Sequence, residues 1–176
     1  MRFSTTLSAL VVLAAAAGLA TQSLAQTTPA PANVPTGPNA DMQLSRRECA
    51  NAVRVMGKAL PIYHGHRVRA IEIAKIAIDE IRLGLKYDRG HGSVSDPTAI
   101  QQRLKALENM SEPGGNYTTK QNNQSNKKML RAQAALTKAQ GNLQAAPKDY
   151  GGHRSAALQL VNLALAQIQQ ALGTNP

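Results

Sequence analysis

The sequence predicts an all-α protein: a four-helix bundle built from two tandem helix–turn–helix repeats, with a short extra helix between them. Apolar residues recur at helical spacing over long stretches, and alternating runs of strand-forming residues are not found in the sequence. Aromatic residues make up 3% of the 176 residues, so Ala, Leu, Ile and Val must fill the core. A five-residue motif also occurs twice, 87 residues apart, each time after a helical segment and a proline.

The first 25 residues are predicted to be a secretory signal peptide. Arg2 supplies a positive start, residues 7–20 form a short apolar run, and Ser23 and Ala25 place small residues before a cleavage position. The apolar run is shorter than the ~20 residues that a membrane-spanning helix needs, and no later stretch is apolar enough. The sequence therefore predicts a periplasmic or secreted protein without a transmembrane segment.

The rest of the chain is predicted to be a linker followed by one helical domain. Residues 26–40 contain four prolines and no charge, which is typical of an extended linker. Residues 41–176 are assigned to the bundle, with repeat units of about 41–87 and 119–173 and an insert at 88–118.

Prolines and caps mark where the helices begin and end. Pro61 and Pro147 stop the helices before them, and Asp96 followed by Pro97 starts a short one, because Asp caps a helix and Pro suits its first turn. The predicted helices span about 41–60, 65–86, 96–109, 119–146 and 152–172.

The second and fourth long helices have matching apolar faces at positions 87 residues apart. In the second helix this face consists of Ala70, Ile73, Ala74, Ala77, Ile78, Ile81 and Leu85. In the fourth it consists of Ala157, Leu160, Val161, Ala164, Leu165, Ile168 and Leu172. Ile76 and Leu163 lie outside these faces at equivalent positions and hint at an oligomer surface, so a homodimer is left open. We expect both helices to start at the same end of the bundle.

The repeated motif is a Tyr-x-Gly-His-Arg turn at a helix start. Its copies are Tyr63-His64-Gly65-His66-Arg67 and Tyr150-Gly151-Gly152-His153-Arg154. In a structural interpretation, the Arg and His side chains donate to unpaired carbonyls at the ends of the preceding helices, and the Tyr rings cover the core. In an anion-binding interpretation, two helix N-termini and two arginines hold phosphate, sulfate or a carboxylate.

A metal site is the third interpretation of the same turns. His64, His66 and His153 would converge, and His is a common ligand of Zn²⁺, Cu²⁺ and Ni²⁺. The arginines and the helix dipoles oppose a cation there, and Asp149 is the one acid near a turn. The three interpretations stay open at this point.

The second copy of the turn, Asp149 to Arg154, resembles the helix start of a group of secreted bacterial helical-bundle proteins. In that group an aspartate–aromatic–Gly-Gly-His-Arg turn precedes a helix rich in Ala, Leu and Ile. The first copy matches with His64 in place of Gly and Ile62 in place of Asp. The resemblance covers both hairpins and implies an exported helical bundle, but the group carries no assigned activity. A looser similarity to small periplasmic metal-binding helical proteins rests on export, helices and a few histidines.

Charge and motif content define the expected function class. The net charge of +10 is carried by basic residues along the whole chain. After export, acidic partners would be phospholipid headgroups, anionic glycans or an acidic protein, and the scarcity of aromatics argues against nucleic acid. The motifs typical of hydrolases, phosphate-binding loops and zinc proteases are not found in the sequence, so we expect no enzyme and no cofactor.

These observations favour an exported protein of structural or binding type that associates with acidic envelope components. A small periplasmic metal-binding protein is the alternative. Cys49 has no partner for an internal disulfide, which leaves a buried apolar role or an intermolecular disulfide.

Overall fold

The computed structural model describes residues 35–174, which form five α-helices and no strand. The helices are α1 (Ala40–Met56), α2 (His66–Tyr87), α3 (Pro97–Lys105), α4 (Thr119–Ala145) and α5 (His153–Gly173). The prediction of an all-helical protein is confirmed for this part of the chain. None of the described helices combines the length and apolar character that crossing a membrane requires. The predicted signal peptide and residues 26–34 of the linker lie outside the described residues.

Two predicted helix ends are too late, and a long-range contact accounts for the first of them. The first helix ends at Met56 and not near Leu60, because the Leu60 amide donates to the Ser125 hydroxyl at 2.8 Å instead of continuing the helix. The short helix α3 ends at Lys105, where the chain passes into single turns. The Asp96 cap is confirmed, since its side chain accepts from two amides of the first turn.

The four long helices pack as a helical bundle in which neighbours are antiparallel. His66 at the start of α2 contacts Gln167 near the end of α5, and Ser45 in α1 donates to the Ala139 carbonyl in α4 at 3.1 Å. The most extensive contacts join α2 to α5 and α1 to α4, and the successive pairs α1–α2 and α4–α5 also pack together.

The predicted apolar faces of α2 and α5 form much of the core. Eleven of their residues are buried, and Leu85, Leu165 and Leu172 are partly buried against the same core. Equivalent α1 and α4 positions, such as Met42 with Met129, are also fully buried. The many alanines permit close approach of the helix backbones.

Ile76 and Leu163, which lie outside the predicted apolar faces, differ in their exposure to solvent. Ile76 packs into the core with 3% of its surface exposed, whereas Leu163 is 45% exposed and borders two cavities beside α3. The expectation that Ile76 lies outside the core is wrong. Cys49 is fully buried with a free thiol, and burial, aided by the nearby Glu48 carboxylate, raises its pKa to about 12.

The expectation that the two turns meet at one end of the bundle is also wrong. We call residues 57–65 turn 1 and residues 146–152 turn 2. His66 beside turn 1 and Glu80 are 14 residues apart on α2, about 21 Å at 1.5 Å per residue, and Glu80 contacts His153 beside turn 2. The turns therefore lie at opposite ends.

The insert explains this arrangement. Near its start, the Ser93 carbonyl contacts the His153 ring at turn 2. Near its end, Glu112 pairs with Arg67 at turn 1. Residues 88–118 thus run the length of the bundle and return the chain to the end where α2 begins. As a result α4 starts at the same end as α2, and α5 starts at the other.

Candidate functional sites in the two turns and on the basic face

The two turns share an unusual backbone conformation. Gly65 has φ 86° and ψ −10°, and Gly152 has φ 87° and ψ −12°, and each directly precedes its helix. The residues before them, His64 and Gly151, also have positive φ values of 50° and 69°. The left-handed run covers two residues at turn 1 and three at turn 2, where it begins at Tyr150 with φ 55°. Such a backbone favours glycine, which explains the Gly directly before each helix.

The arginines of the turns reach back to the preceding helices. Arg67 Nη1 donates to the Met56 carbonyl at 3.0 Å, and Arg154 Nη1 donates to the Leu143 carbonyl at 3.4 Å. Both acceptors lie at the C-terminal ends of their helices, where carbonyls lack intrahelical partners. Each arginine also has a carboxylate partner. Arg67 is paired with Glu112, and Arg154 Nε lies 3.6 Å from Asp149 Oδ1.

The tyrosines cross from one hairpin to the other. The Tyr63 hydroxyl contacts Ser125 Oγ at 2.8 Å and Asn126 Oδ1 at 3.0 Å in α4. The Tyr150 hydroxyl contacts the Pro38 carbonyl at 3.2 Å and Asn39 Oδ1 at 3.1 Å before α1. Burial raises the pKa of both phenols, so they remain neutral hydrogen-bond donors. Both turns are thereby tied to the start of the opposite hairpin.

The histidines bind two residues that sequence reasoning missed. His66 Nδ1 lies 3.0 Å from Gln167 Oε1, and His153 Nδ1 lies 2.7 Å from Glu80 Oε2. Glu80 and Gln167 are themselves 87 residues apart, so the sequence offset was the signal that could have identified them.

The pair at turn 2 is buried and further bonded. Ser95 Oγ donates to Glu80 Oε2 at 2.9 Å, and His153 Nε2 lies 2.9 Å from the Ser93 carbonyl. Both ring nitrogens of His153 therefore face acceptors, and the histidine with its glutamate anchors the insert to α5. His66 at turn 1 is only partly buried and faces an uncharged amide.

The structure does not bring His64, His66 and His153 together. His64 is exposed at turn 1, and His153 lies at the other end of the bundle. No group of three His, Cys, Asp or Glu side chains suited to a metal ion occurs within residues 35–174. The anion site that required both arginines at one place is likewise not assembled, because Arg67 and Arg154 are at opposite ends.

The fold packs α1 against α4, and these two helices carry most of the net positive charge of the described residues. Helix α4 contains Lys120, Lys127, Lys128, Arg131 and Lys138 and no acidic residue. Helix α1 together with Lys58 adds four basic and two acidic residues. These two helices and Lys58, which we call the basic face, therefore carry +7 of the formal net charge of +10. In the remaining described residues, ten basic side chains are nearly balanced by eight acidic ones.

Ion pairing follows the same division. The salt bridges of turn 1, turn 2, α2 and the insert use Arg67, Lys75, Arg82, Arg103, Lys148, His153 and Arg154. Within the described part of the chain, no cation of α4 takes part in a salt bridge. The charge of α4 is therefore available to a partner.

Searches against models of protein families, curated proteins and solved structures find no match to this chain. The contacts and charges of residues 35–174 therefore carry the functional proposal.

Proposed function

We propose that this protein is an exported, non-enzymatic binding module that attaches to an anionic lipid surface of the cell envelope through its basic face. The observation that carries the proposal is α4, which has five basic residues, no acidic residue and no salt bridge within the described residues. Each Lys or Arg close to an anionic membrane contributes about 1 kcal/mol of attraction. Several such residues on one rigid face are enough for reversible attachment.

An apolar side chain on the same helix favours a lipid surface over a soluble polyanion. Leu130 is 52% exposed and follows Lys127 by three residues on α4, so the two side chains are surface neighbours. An apolar group beside cations fits the boundary between headgroups and acyl chains, as in amphipathic interfacial helices.

The turns have a structural role in this proposal, within a bundle of two tandem helix–turn–helix repeats. Support comes from contacts that recur with the 87-residue offset. Arg67 and Arg154 reach equivalent carbonyls, Tyr63 and Tyr150 reach equivalent asparagines, and His66 and His153 reach Gln167 and Glu80. The repeated turns close the two ends and hold the basic face rigid.

Vesicle sedimentation tests the proposed function. The protein is expected to sediment with phosphatidylcholine vesicles containing phosphatidylglycerol, but not with phosphatidylcholine alone, and added salt should release it. Binding that is equal on both kinds of vesicle, or insensitive to salt, would show that the charge does not drive attachment.

A pair of triple variants tests whether the basic face is responsible. Lys120→Gln, Lys127→Gln and Lys138→Gln remove three charges from α4. The control, Lys86→Gln, Arg89→Gln and Lys105→Gln, removes three exposed charges elsewhere. The first triple should lose most of the binding and the control should keep most of it. Equal losses would indicate attraction by net charge alone and would contradict attachment through the basic face.

The alternative of a small metal-binding protein is disfavoured, because His153 lies at the other end of the bundle from His64 and His66. Adding Zn²⁺ is accordingly expected to leave the melting temperature unchanged. A concentration-dependent rise would revive the alternative, since a ligand that binds the native state stabilises it.

A further inference from the structure

A cavity of about 390 Å³ lies between α1 and α4 on the basic face. It is lined by Asn51, Arg54, Val55, Lys58, Lys128 and Arg131. Its size falls at the lower end of the range of small-ligand clefts. We propose that this cavity binds a phosphate monoester group, and the proposal deepens the function proposed above by naming the headgroup chemistry that the basic face selects.

The cavity is strongly positive. Four of its lining residues are cations, and none of the lining residues is acidic. The C-terminal end of α1 contributes a negative partial charge of about half a unit, which offsets only a small part of the total. Lys128 already interacts with this end of α1, since its Nζ donates to the Lys58 carbonyl at 2.7 Å. An anionic ligand is the natural counter-charge for the others.

Antiparallel packing brings the cations to one level of the bundle. Arg54 lies near the end of α1 and Lys58 lies two residues beyond it, whereas Lys128 and Arg131 are three residues apart on one side of α4. All four line the cavity. The bond between Lys128 and Lys58 joins the two pairs across the helix interface. A ligand in the cavity is therefore approached from both helices.

The side-chain chemistry suits phosphate. Arg54 Nη2 donates to Asn51 Oδ1 at 2.7 Å, which fixes the guanidinium at the cavity edge and leaves its other N–H groups available. Two guanidinium groups offer bidentate hydrogen bonds to phosphate oxygens, and two ammonium groups add compact charge. A dianionic monoester gains more from four cations than a monoanionic diester does.

Ion pairing within the described residues does not balance these cations. Within residues 35–174, none of the four takes part in a salt bridge. Arg54, Lys58 and Arg131 are exposed, so a ligand can reach them. Like charges at this spacing disfavour the folded state unless a partner neutralises them.

Calorimetric titration with inorganic phosphate at constant ionic strength tests the cavity directly. The protein should bind phosphate, and Arg54→Gln with Arg131→Gln should weaken binding about tenfold or more, because both charge-assisted forks are removed. The control is Lys127→Gln with Lys138→Gln, which removes the same charge from α4 outside the cavity lining. The affinity of this control variant for phosphate should change less than about threefold. Equal weakening, or no binding by the parent protein, overturns the proposal.

Vesicles distinguish a lipid headgroup from a soluble monoester. Phosphatidic acid carries a monoester phosphate and phosphatidylglycerol a diester, and the two mixtures are matched for total surface charge. Preference for phosphatidic acid that disappears in the Arg54→Gln, Arg131→Gln variant assigns the site to a lipid headgroup. Phosphate binding without that preference assigns it to a soluble monoester.

The two proposals fail in different ways. If anionic vesicles bind but phosphate does not, the cavity proposal is overturned and the basic face stands. If phosphate binds but no anionic vesicle does, attachment to a lipid surface is overturned and the cavity stands. Thermal melts of each variant show whether it is folded, and all four substituted side chains are exposed.

Discussion

Replacing Glu80 by Ala and by Gln should have very different effects on stability. Glu80 is 5% exposed, and its Oε2 accepts from Ser95 Oγ at 2.9 Å and contacts His153 Nδ1 at 2.7 Å. Alanine removes the acceptor of the buried His153 ring and of the half-buried Ser95 hydroxyl. Glutamine keeps the shape, and an amide already serves the equivalent histidine, His66, through Gln167.

The magnitudes follow from these contacts. Removing the carboxylate takes a charged acceptor away from a buried hydrogen-bond donor, at a cost of about 3–5 kcal/mol. Exchanging a charge-assisted hydrogen bond for a neutral one costs about 1 kcal/mol. A domain of this size loses about 2–4 °C of melting temperature per kcal/mol, so Glu80→Ala should lower it by about 6–20 °C and Glu80→Gln by about 2–4 °C.

Thermal unfolding followed by circular dichroism measures both changes. Glu72→Ala is the matched control, because Glu72 is on the same helix and pairs only with Lys75 at the surface. Glu72→Ala should change the free energy of unfolding by less than about 0.5 kcal/mol. The reasoning is refuted if Glu80→Gln is as destabilising as Glu80→Ala, or if Glu80→Ala resembles the control.

Three further predictions concern other described residues. Gly152→Ala should lower the free energy of unfolding by about 1–2 kcal/mol, because the residue has a left-handed backbone. Gly65→Ala should lower it by at least about 1 kcal/mol more, because the added Cβ would also meet the Met110 carbonyl. Urea unfolding measures both changes. Cys49 should resist alkylation at mildly alkaline pH until the protein is unfolded, since burial raises its pKa to about 12; rapid labelling of the native protein would contradict this. Hydrogen bonds from a lysine and an asparagine lower the pKa of Asp88, so its stabilising effect is present above the unfolded pKa of about 3.9 and is lost as the pH falls through the lower folded value. The stability difference between the parent and Asp88→Asn should accordingly shrink on acidification.

The sequence was sufficient for the helices and their buried faces, because helical periodicity and caps act locally. The apolar positions of α2, from Ala70 to Ile81, are buried as the helical periodicity predicted. The helical periodicity does not determine the relative orientation of the two hairpins. Two amphipathic hairpins bury the same apolar faces whether their turns lie at one end of the bundle or at opposite ends. The prediction of a shared end also neglected the insert, whose length allows the chain to return along the bundle.

The candidate sites also contain contacts that the local sequence predicts and contacts that depend on the long-range fold. The motif identified the helix starts and the backbone contacts of Arg67 and Arg154, which depend on the neighbouring helix end. It did not identify Glu80 or Gln167, because they lie on helices that the long-range fold brings to the histidines. The basic face was missed for a related reason, since α1 and α4 are neighbours in space but are separated by α2 and the insert in the sequence.

The crossed tyrosine contacts set the order in which this chain can be completed. Tyr150 holds the residues just before α1, and Tyr63 holds a part of α4 that is made some sixty residues later. A ribosome that has released only the first hairpin has therefore released a fragment with both ends open and an unpaired apolar stripe. Such a fragment cannot close on itself, and only the arrival of residue 150 closes the bundle at its second end. The protein is thus suited to remaining unfolded until nearly the whole chain has emerged.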